Sequence, residues 1–237
     1  MTTSNTRTRA ARPPLTRERV LTTAAALADA EGLAAVTMRR VASELGVEAM
    51  SLYHHLPGKG GLLDGLVDVL VAEIDHAVAT AFAARHRAPD ANWRDVVRTR
   101  CLAARSVMLA RPWAPALIGS RSSIPAGVYR LYEEVLGAMV RGGCSYRVAH
   151  KALHALGSMV LGFTQELFRP ADAGGSLEPD LAEAELAAMA EALPYTTAMV
   201  ASEIHDAADP TLGWCDSQSE FEFTLDLLLD GLARADG

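Results

Sequence analysis

Cysteine is scarce in this 237-residue chain: there are three, Cys101, Cys144 and Cys215. An odd count at wide spacing builds neither a disulfide framework nor a zinc-ligand pattern, and it predicts a reducing, cytoplasmic setting. Long apolar runs are absent too, because charge interrupts every segment before the ~20 residues a membrane helix needs. Arg7, Arg9 and Arg12 stand near the start with no apolar stretch behind them, which argues against a secretory signal. No stretch alternates apolar and polar residues as a half-buried strand does, and no internal repeat is visible. Paired carboxylates at a useful spacing, a G-x-S-x-G elbow and a phosphate-cradling glycine loop are also missing. The run Gly58-Lys59-Gly60-Gly61 follows a helix rather than a strand and lacks the leading glycine of such a loop. These absences predict a protein that is not an enzyme, holds no cofactor or metal and contacts no membrane.

What is present is helix. The apolar period of 3.6 recurs along the chain, and the expected fold is all-α with about ten helices. Thr16 is the expected N-cap of a first helix to about Glu31, with Gly32 just past its end. Thr37 caps a short helix, Gly46-Val47 forms a turn, and Glu48 opens a second short helix to about His55. Pro57-Gly58 stops it, and a long helix is expected from about Gly60 to Ala84. Further helices are predicted over 92–111, 125–141, 145–168, 180–193, 194–205 and 219–233, with a short turn of helix within 113–124. Gly157 and Gly162 inside the helix 145–168 each cost ~1 kcal/mol relative to alanine, which predicts a close approach of another helix there. Three domains are expected: a disordered basic tail over 1–15, a small helical unit over 16–60 and a larger body over 61–235.

Charge divides along the same line. The net charge is −7, yet residues 1–60 carry eight Lys and Arg against five Asp and Glu, while the remainder carries 14 against 24. A basic end on an acidic body suits contact with nucleic acid at one end only. Two short helices about a glycine turn make a helix-turn-helix, whose second helix can enter a DNA major groove. With Val47 and Leu52 turned inward, that helix offers Ala49, Met50, Ser51, Tyr53 and His54 on its other side, with His55 beside them. Hydroxyls and imidazoles bond phosphates or base edges, and Ala or Met can touch a thymine methyl. Lys59 at the start of the next helix suits a phosphate, and Arg39 reaches either a phosphate or a guanine edge.

The stretch TMRRVASELGVEAMSLYHHLPGKGGLLDGLV, from Thr37 to Val67, resembles the DNA-binding segment of the TetR family of bacterial transcriptional regulators without a gap. A fainter likeness to the tetracycline repressor's C-terminal domain runs over about 92–166, through NW at 92–93, GGCS at 142–145 and ALGSMVLG at 155–162. The resemblance implies that Arg39, Ala49, Met50, Ser51, Tyr53, His54, His55 and Lys59 contact operator DNA. Tyr53 and Lys59 would clamp phosphates, while Arg39, Ala49 and Met50 would read bases. Ala49-Met50 replaces the Gln-Pro of the tetracycline repressor, so a different operator is expected.

The resemblance further implies a homodimer, paired as a four-helix bundle through the helices 145–168 and 219–233. A small-molecule effector would release the protein from a palindromic double-stranded operator, as in a repressor. A pocket is expected among the helices beginning near 60, 92, 125 and 145. Its candidate lining residues are Trp93, Met108, Trp113, Tyr129, Tyr132, His154, Ser158 and Phe163, with Trp113 foremost because it lies on a loop between prolines. His150 and His154 are spaced to share a metal, but nothing else is tied to them. Leu117 occupies the place of the histidine that holds magnesium with tetracycline, and although Glu166 matches an acidic position there, the composition implies a largely hydrophobic effector. The alternative reading is a helical protein-interaction module, or an enzyme, without DNA binding. A steep salt dependence of DNA binding separates the two.

Overall fold

The computed structural model describes residues 13–85, 92–165, 190, 192–203 and 217–235, and among these it contains ten α-helices and no strand. The basic tail lies almost wholly outside the described residues, and so does nearly all of the helix expected over 180–193.

The first three helices form where their caps dictate. Thr16 Oγ1 accepts from the Arg19 N–H at 3.1 Å and opens α1 (Arg17–Glu31), and Gly32 closes it at φ 81°. Thr37 repeats the device on α2 (Met38–Leu45), accepting from the Arg40 N–H at 3.1 Å. Gly46 then takes the left-handed conformation at φ 67°, a region a Cβ disfavours. The Val47 N–H reaches back to the Ala42 carbonyl at 3.0 Å, as a helix-ending turn of this kind requires. The next helix, α3 (Ala49–Tyr53), is shorter than expected, because the Leu52 carbonyl takes both the His55 and Leu56 N–H groups and turns the chain. Val20, Ala24, Val36, Val41, Leu52 and Leu56 are sealed between the three helices and the long helix that follows.

That helix, α4 (Gly58–Ala84), starts two residues earlier than expected, directly after Pro57. Two of the three glycines in its first turn, Gly60 and Gly61, differ in surroundings. A Cβ on Gly60 would meet nothing within 4 Å, whereas one on Gly61 would strike the Pro57 ring. Gly60→Ala is therefore expected to stabilise by about 0.5–1 kcal/mol through lost unfolded-state entropy. Gly61→Ala should destabilise by about 1–3 kcal/mol, because the rigid ring cannot yield. Urea denaturation of both variants checks this, and equal effects of the same sign would contradict it.

Around α5 (Trp93–Ala110), capped by Asn92, pack α4, α7 (Ala126–Arg141), α8 (Tyr146–Gly162) and α10 (Ser217–Arg234). A short α6 (Ala114–Gly119) lies against α4, and the exposed α9 (Pro194–Glu203) completes the set. The helix after Ser145 ends at Gly162, short of the expected 168. Thr164 Oγ1 accompanies that end by bonding the Leu161 carbonyl at 2.7 Å, and Phe163 packs edge-on against Phe221 of α10. Among the described residues the close approach expected at Gly157 and Gly162 is not made within one chain, since a Cβ on either would meet nothing within 4 Å.

Charge fastens α10 to α5. Arg94 pairs with Asp230, and Arg98 holds Glu222 at 2.6 Å and Asp226 at 2.9 Å. Hydrogen bonding from Arg94, then its positive charge, keeps the Asp230 carboxyl below its ordinary range. A depressed carboxylate contributes stability that is present above its unfolded value, near 4, and is lost as pH falls through the lower folded value. Wild-type protein should therefore lose more thermal stability than Asp230→Asn between about pH 5 and about pH 2.5. Melting curves followed by circular dichroism check this, and parallel losses would contradict it.

Candidate DNA-reading surface and apolar pocket

Arg39 and Arg40 are adjacent in sequence and opposite in circumstance. Arg40 is tied to Glu31 at 2.8 Å and Glu44 at 2.6 Å, and its pKa is raised by those partners, Glu44 first. Arg39 is exposed and pairs with no carboxylate among the described residues, and Lys59 shares that condition. Met50 is 69% exposed and Tyr53 50%, on the outer side of α3, with Leu52 fully buried between them. His54 is exposed, whereas Ser51 and His55 are half-buried. Ala49 is half-buried as well and packs against the core of the small unit. The Tyr53 ring lies over the entry to α4, 3.8 Å from where a Cβ on Gly58 would sit. Two unpaired cations and a phenol thus border one helix that offers a thioether and an imidazole, a set able to grip phosphates and touch base edges.

The second feature is a pocket of about 140 Å³, partly open to solvent and bordered by α5, α6, α7 and α8. Its wall is almost entirely apolar, with Ala104, Leu131, Val135, Leu156 and Val160 among the lining side chains. Of the eight residues expected to line a pocket, the structure brings Met108 and Tyr132 to this wall and places six elsewhere. Trp93 is packed against the end of α7 at Gly142. Tyr129 is 58% exposed and meets Tyr132 edge-on from outside. His154 and Ser158 lie on the open face of α8, the former with its Nε2 3.1 Å from that of His150. Phe163 is committed to Phe221.

Trp113 departs furthest from expectation. It is buried, and its indole N–H donates to Asp29 Oδ1 of α1 at 2.7 Å. A tryptophan buries its polar tip only where that tip finds an acceptor, and here the acceptor belongs to the small unit. The expected pocket wall from the helix near 60 is likewise replaced by α6, through Ile118. What residue type alone passed over are Arg100, Cys101, Ile118 and Leu153. Arg100 had a visible signal, as a cation within an otherwise apolar stripe. Burial pushes the Cys101 thiol up to about 12, so it stays protonated and is no nucleophile at neutral pH.

Cavity and small unit are joined by a short path. Arg111 follows α5 directly, and its guanidinium holds both Glu73 oxygens of α4, at 2.6 and 3.1 Å, together with Asp29 of α1. Its pKa is raised by these bonds, the one to Glu73 foremost. Arg121 holds Asp64 at 2.8 Å, and Arg17 of α1 holds Asp68 of α4 at 2.8 Å. The carboxylates of these pairs all keep contact with solvent, which holds each pair to ~0–1 kcal/mol, so their role is orientation more than stability.

Among the described residues no cluster of three or more His, Cys, Asp or Glu could hold a metal. Leu117 is fully buried, and Glu166 lies outside the described residues. No helix of the described residues is long and apolar enough to cross a membrane.

Comparison with known proteins agrees with this arrangement. Residues 20–66 match the family model described as "Bacterial regulatory proteins, tetR family", and residues 87–235 match "Tetracyclin repressor-like, C-terminal domain". The HTH-type transcriptional repressor DrrR1 of Streptomyces coeruleorubidus is 34% identical over 128 residues, which are 54% of this chain. That match spans only 44% of the relative's own length. The class D tetracycline repressor protein of Escherichia coli is 29% identical over 180 residues, 72% of this chain and 78% of its own. A solved structure described as a possible TetR family transcriptional regulator from Streptomyces coelicolor A3(2) superposes with a TM-score of 0.66 at 26% identity. It covers 92% of this chain and 99% of that one. ActR of Streptomyces coelicolor in complex with actinorhodin shares the fold at a TM-score of 0.66 and 24% identity, over 95% of this chain and 100% of its own.

Proposed function

The chain belongs to the TetR family of bacterial regulatory proteins, and on that premise we propose that it is a dimeric, effector-released repressor of transcription. In this reading residues 16–60 form the DNA-binding unit behind a basic tail, and 61–235 the effector-binding and dimerisation body. The observation that carries it is the division of the molecule into unpaired DNA-facing groups at one end and a partly open apolar pocket at the other, with Arg111 between them. Operator contact comes from Arg39, Lys59 and the outer side of α3, with Tyr53 and Lys59 on phosphates and Met50 on a base edge. The name of the relative DrrR1 favours repression over activation.

A second copy is the natural cover for α8 and α10. Phe223 is 67% and Leu227 55% exposed on α10. Gly157, Ser158 and Gly162 leave an open strip on α8 where a partner helix can come close. A dimer presents two reading helices to half-sites about 34–36 Å apart, or a multiple of that, on a palindromic operator.

Release follows from the path between cavity and reading unit. Met108 and Ile118 line the cavity on either side of the 111–113 junction. A ligand that spreads α5 from α6 displaces Arg111 and Trp113, and with them Asp29 of α1 and Glu73 of α4. The effector must favour the arrangement that fits DNA less well, and DNA must weaken effector binding by the same factor. The test is a mobility shift with DNA from upstream of the protein's own gene, across a salt series. A specific complex whose log affinity falls steeply with log salt is expected. A salt-independent complex, or none, would favour a protein-interaction module.

A further inference from the structure

On the open face of α8 stand two side chains that neither the reading of DNA nor the holding of an effector uses. His150 and His154 are one helical turn apart and both exposed, and their rings meet edge-on with one Nε2 3.1 Å from the other. The i, i+4 spacing by itself puts two imidazoles on one side of a helix, but it leaves open which ring atoms face each other. Here the two nitrogens that can bind an ion converge, and water reaches both rings. With nothing between them, one Nε2 carries a proton and donates it to the lone pair of the other.

We propose that His150 and His154 form a two-nitrogen site for a divalent late transition-metal ion (zinc, nickel or copper), with water in its remaining positions. An ion about 2.0–2.1 Å from each nitrogen would hold the pair at an angle of roughly 95–102°. That lies between the right angle of an octahedral site and the tetrahedral angle, so either geometry accepts the pair as it stands. On binding, the ring with its proton on Nε2 takes one up on Nδ1 instead, through water. Both Nε2 lone pairs then face the ion, and no net proton is released. Charge does not hold such an ion. The helix α8 contains no carboxylate, and Arg147 and Lys151 flank the pair, exposed on the same helix. What remains is the affinity of imidazole nitrogen, which selects zinc, nickel and copper over the oxygen-seeking magnesium and calcium. The two cations also keep this half of α8 in water, because charged side chains are disfavoured at the centre of an interface. The uncharged stretch 157–162, where a second copy can come close, lies beyond the pair, so the site stays reachable in a dimer.

The test is calorimetric titration of the untagged full-length protein with nickel chloride, in buffer free of chelators and thiols. His150→Gln, His154→Gln, the double variant and His76→Gln are titrated beside it. Glutamine is a good helix former and these positions are exposed, so the fold is retained. Wild type should take up one ion per chain at this site. The second imidazole binds an ion already held by the first, so each single variant should bind at least about tenfold more weakly. The double variant should lose the site altogether. His76→Gln removes a single exposed histidine of α4 and should match wild type. A large excess of magnesium should not displace the nickel. Weakening of less than about tenfold in both single variants would mean two independent imidazoles and overturn the proposal. So would a wild-type protein that takes up no nickel, a double variant that titrates as wild type does, or displacement by magnesium.

Discussion

Replacing Tyr53 and Lys59 together by alanine should reduce operator affinity by roughly three powers of ten or more at physiological salt, without loss of fold. Both side chains are exposed, and Lys59 has no internal partner among the described residues. Their removal therefore opens no cavity and strands no buried group. Each contact to a phosphate is a hydrogen bond to a charged acceptor, worth about 1.5–3 kcal/mol. Each is made twice in a symmetric dimer, so even the lower value gives a very large loss. The salt series adds an independent reading: one phosphate contact contributes about 0.9 to the slope, so Lys59→Ala alone should flatten a dimer's slope by about 2. Arg40→Ala is the matched comparison. It removes a cation of the same helix-turn-helix that is already spent on Glu31 and Glu44. Its effect on the slope should be smaller. Equal slopes for Lys59→Ala and wild type would mean that α3 and the start of α4 do not face DNA.

Phe221→Ala should cost about 3–5 kcal/mol of stability, the range for emptying a fully buried aromatic site. Phe221 is 0% exposed, edge-on to Phe163, with the Arg105 guanidinium 5.0 Å from its ring centroid. Its loss removes packing, a ring–ring contact and a cation–π contact at once. For a chain of this size the expected drop in Tm is on the order of 10 °C, and α10 should be the first element to exchange its amide protons. Two residues on, Phe223 faces out. Phe223→Ser combined with Leu227→Ser should leave the monomer's fold in place and abolish the dimer. Analytical ultracentrifugation beside calorimetry separates the two outcomes. A Phe221→Ala protein melting within a degree or two of wild type would show that α10 is not held by this side chain. A Phe223→Ser/Leu227→Ser protein that remains dimeric would remove α10 from the interface.

The helices were legible because their causes lie within a few residues of one another. Thr16, Thr37, Asn92 and Ser145 each cap the helix that follows, and each acts on an N–H two or three residues away. The same short range explains Gly46, whose left-handed turn aims α3. Where local signals competed, boundaries moved: α4 starts two residues before the expected Gly60, and α8 ends six short of 168. The exposed set on α3 was legible for a related reason, since a helix of under two turns with Leu52 inward leaves little choice for Met50 and Tyr53. Ala49 was less so, because its half-burial depends on how α3 leans on its neighbours.

The cavity was not legible in the same way. Aromatic and sulfur side chains are the usual guesses for a pocket, and six of the eight candidates lie away from this one. Trp113 illustrates the reason: its neighbourhood is set by Asp29, 84 residues earlier in the chain, and no local pattern encodes that meeting. The cavity itself is the space that α5 to α8 fail to fill, so it depends on how far apart four helices settle. Arg39 and Arg40 make the same point at the surface, where one is spent on Glu31 and its neighbour left free. The sequence by itself determined the helices, the turn that aims α3 and the charge that divides the two ends. Only the tertiary structure decided which cation stays unpaired and where a ligand has room. Helix formation is governed by contacts within four residues, whereas voids and unpaired cations are remainders of long-range packing.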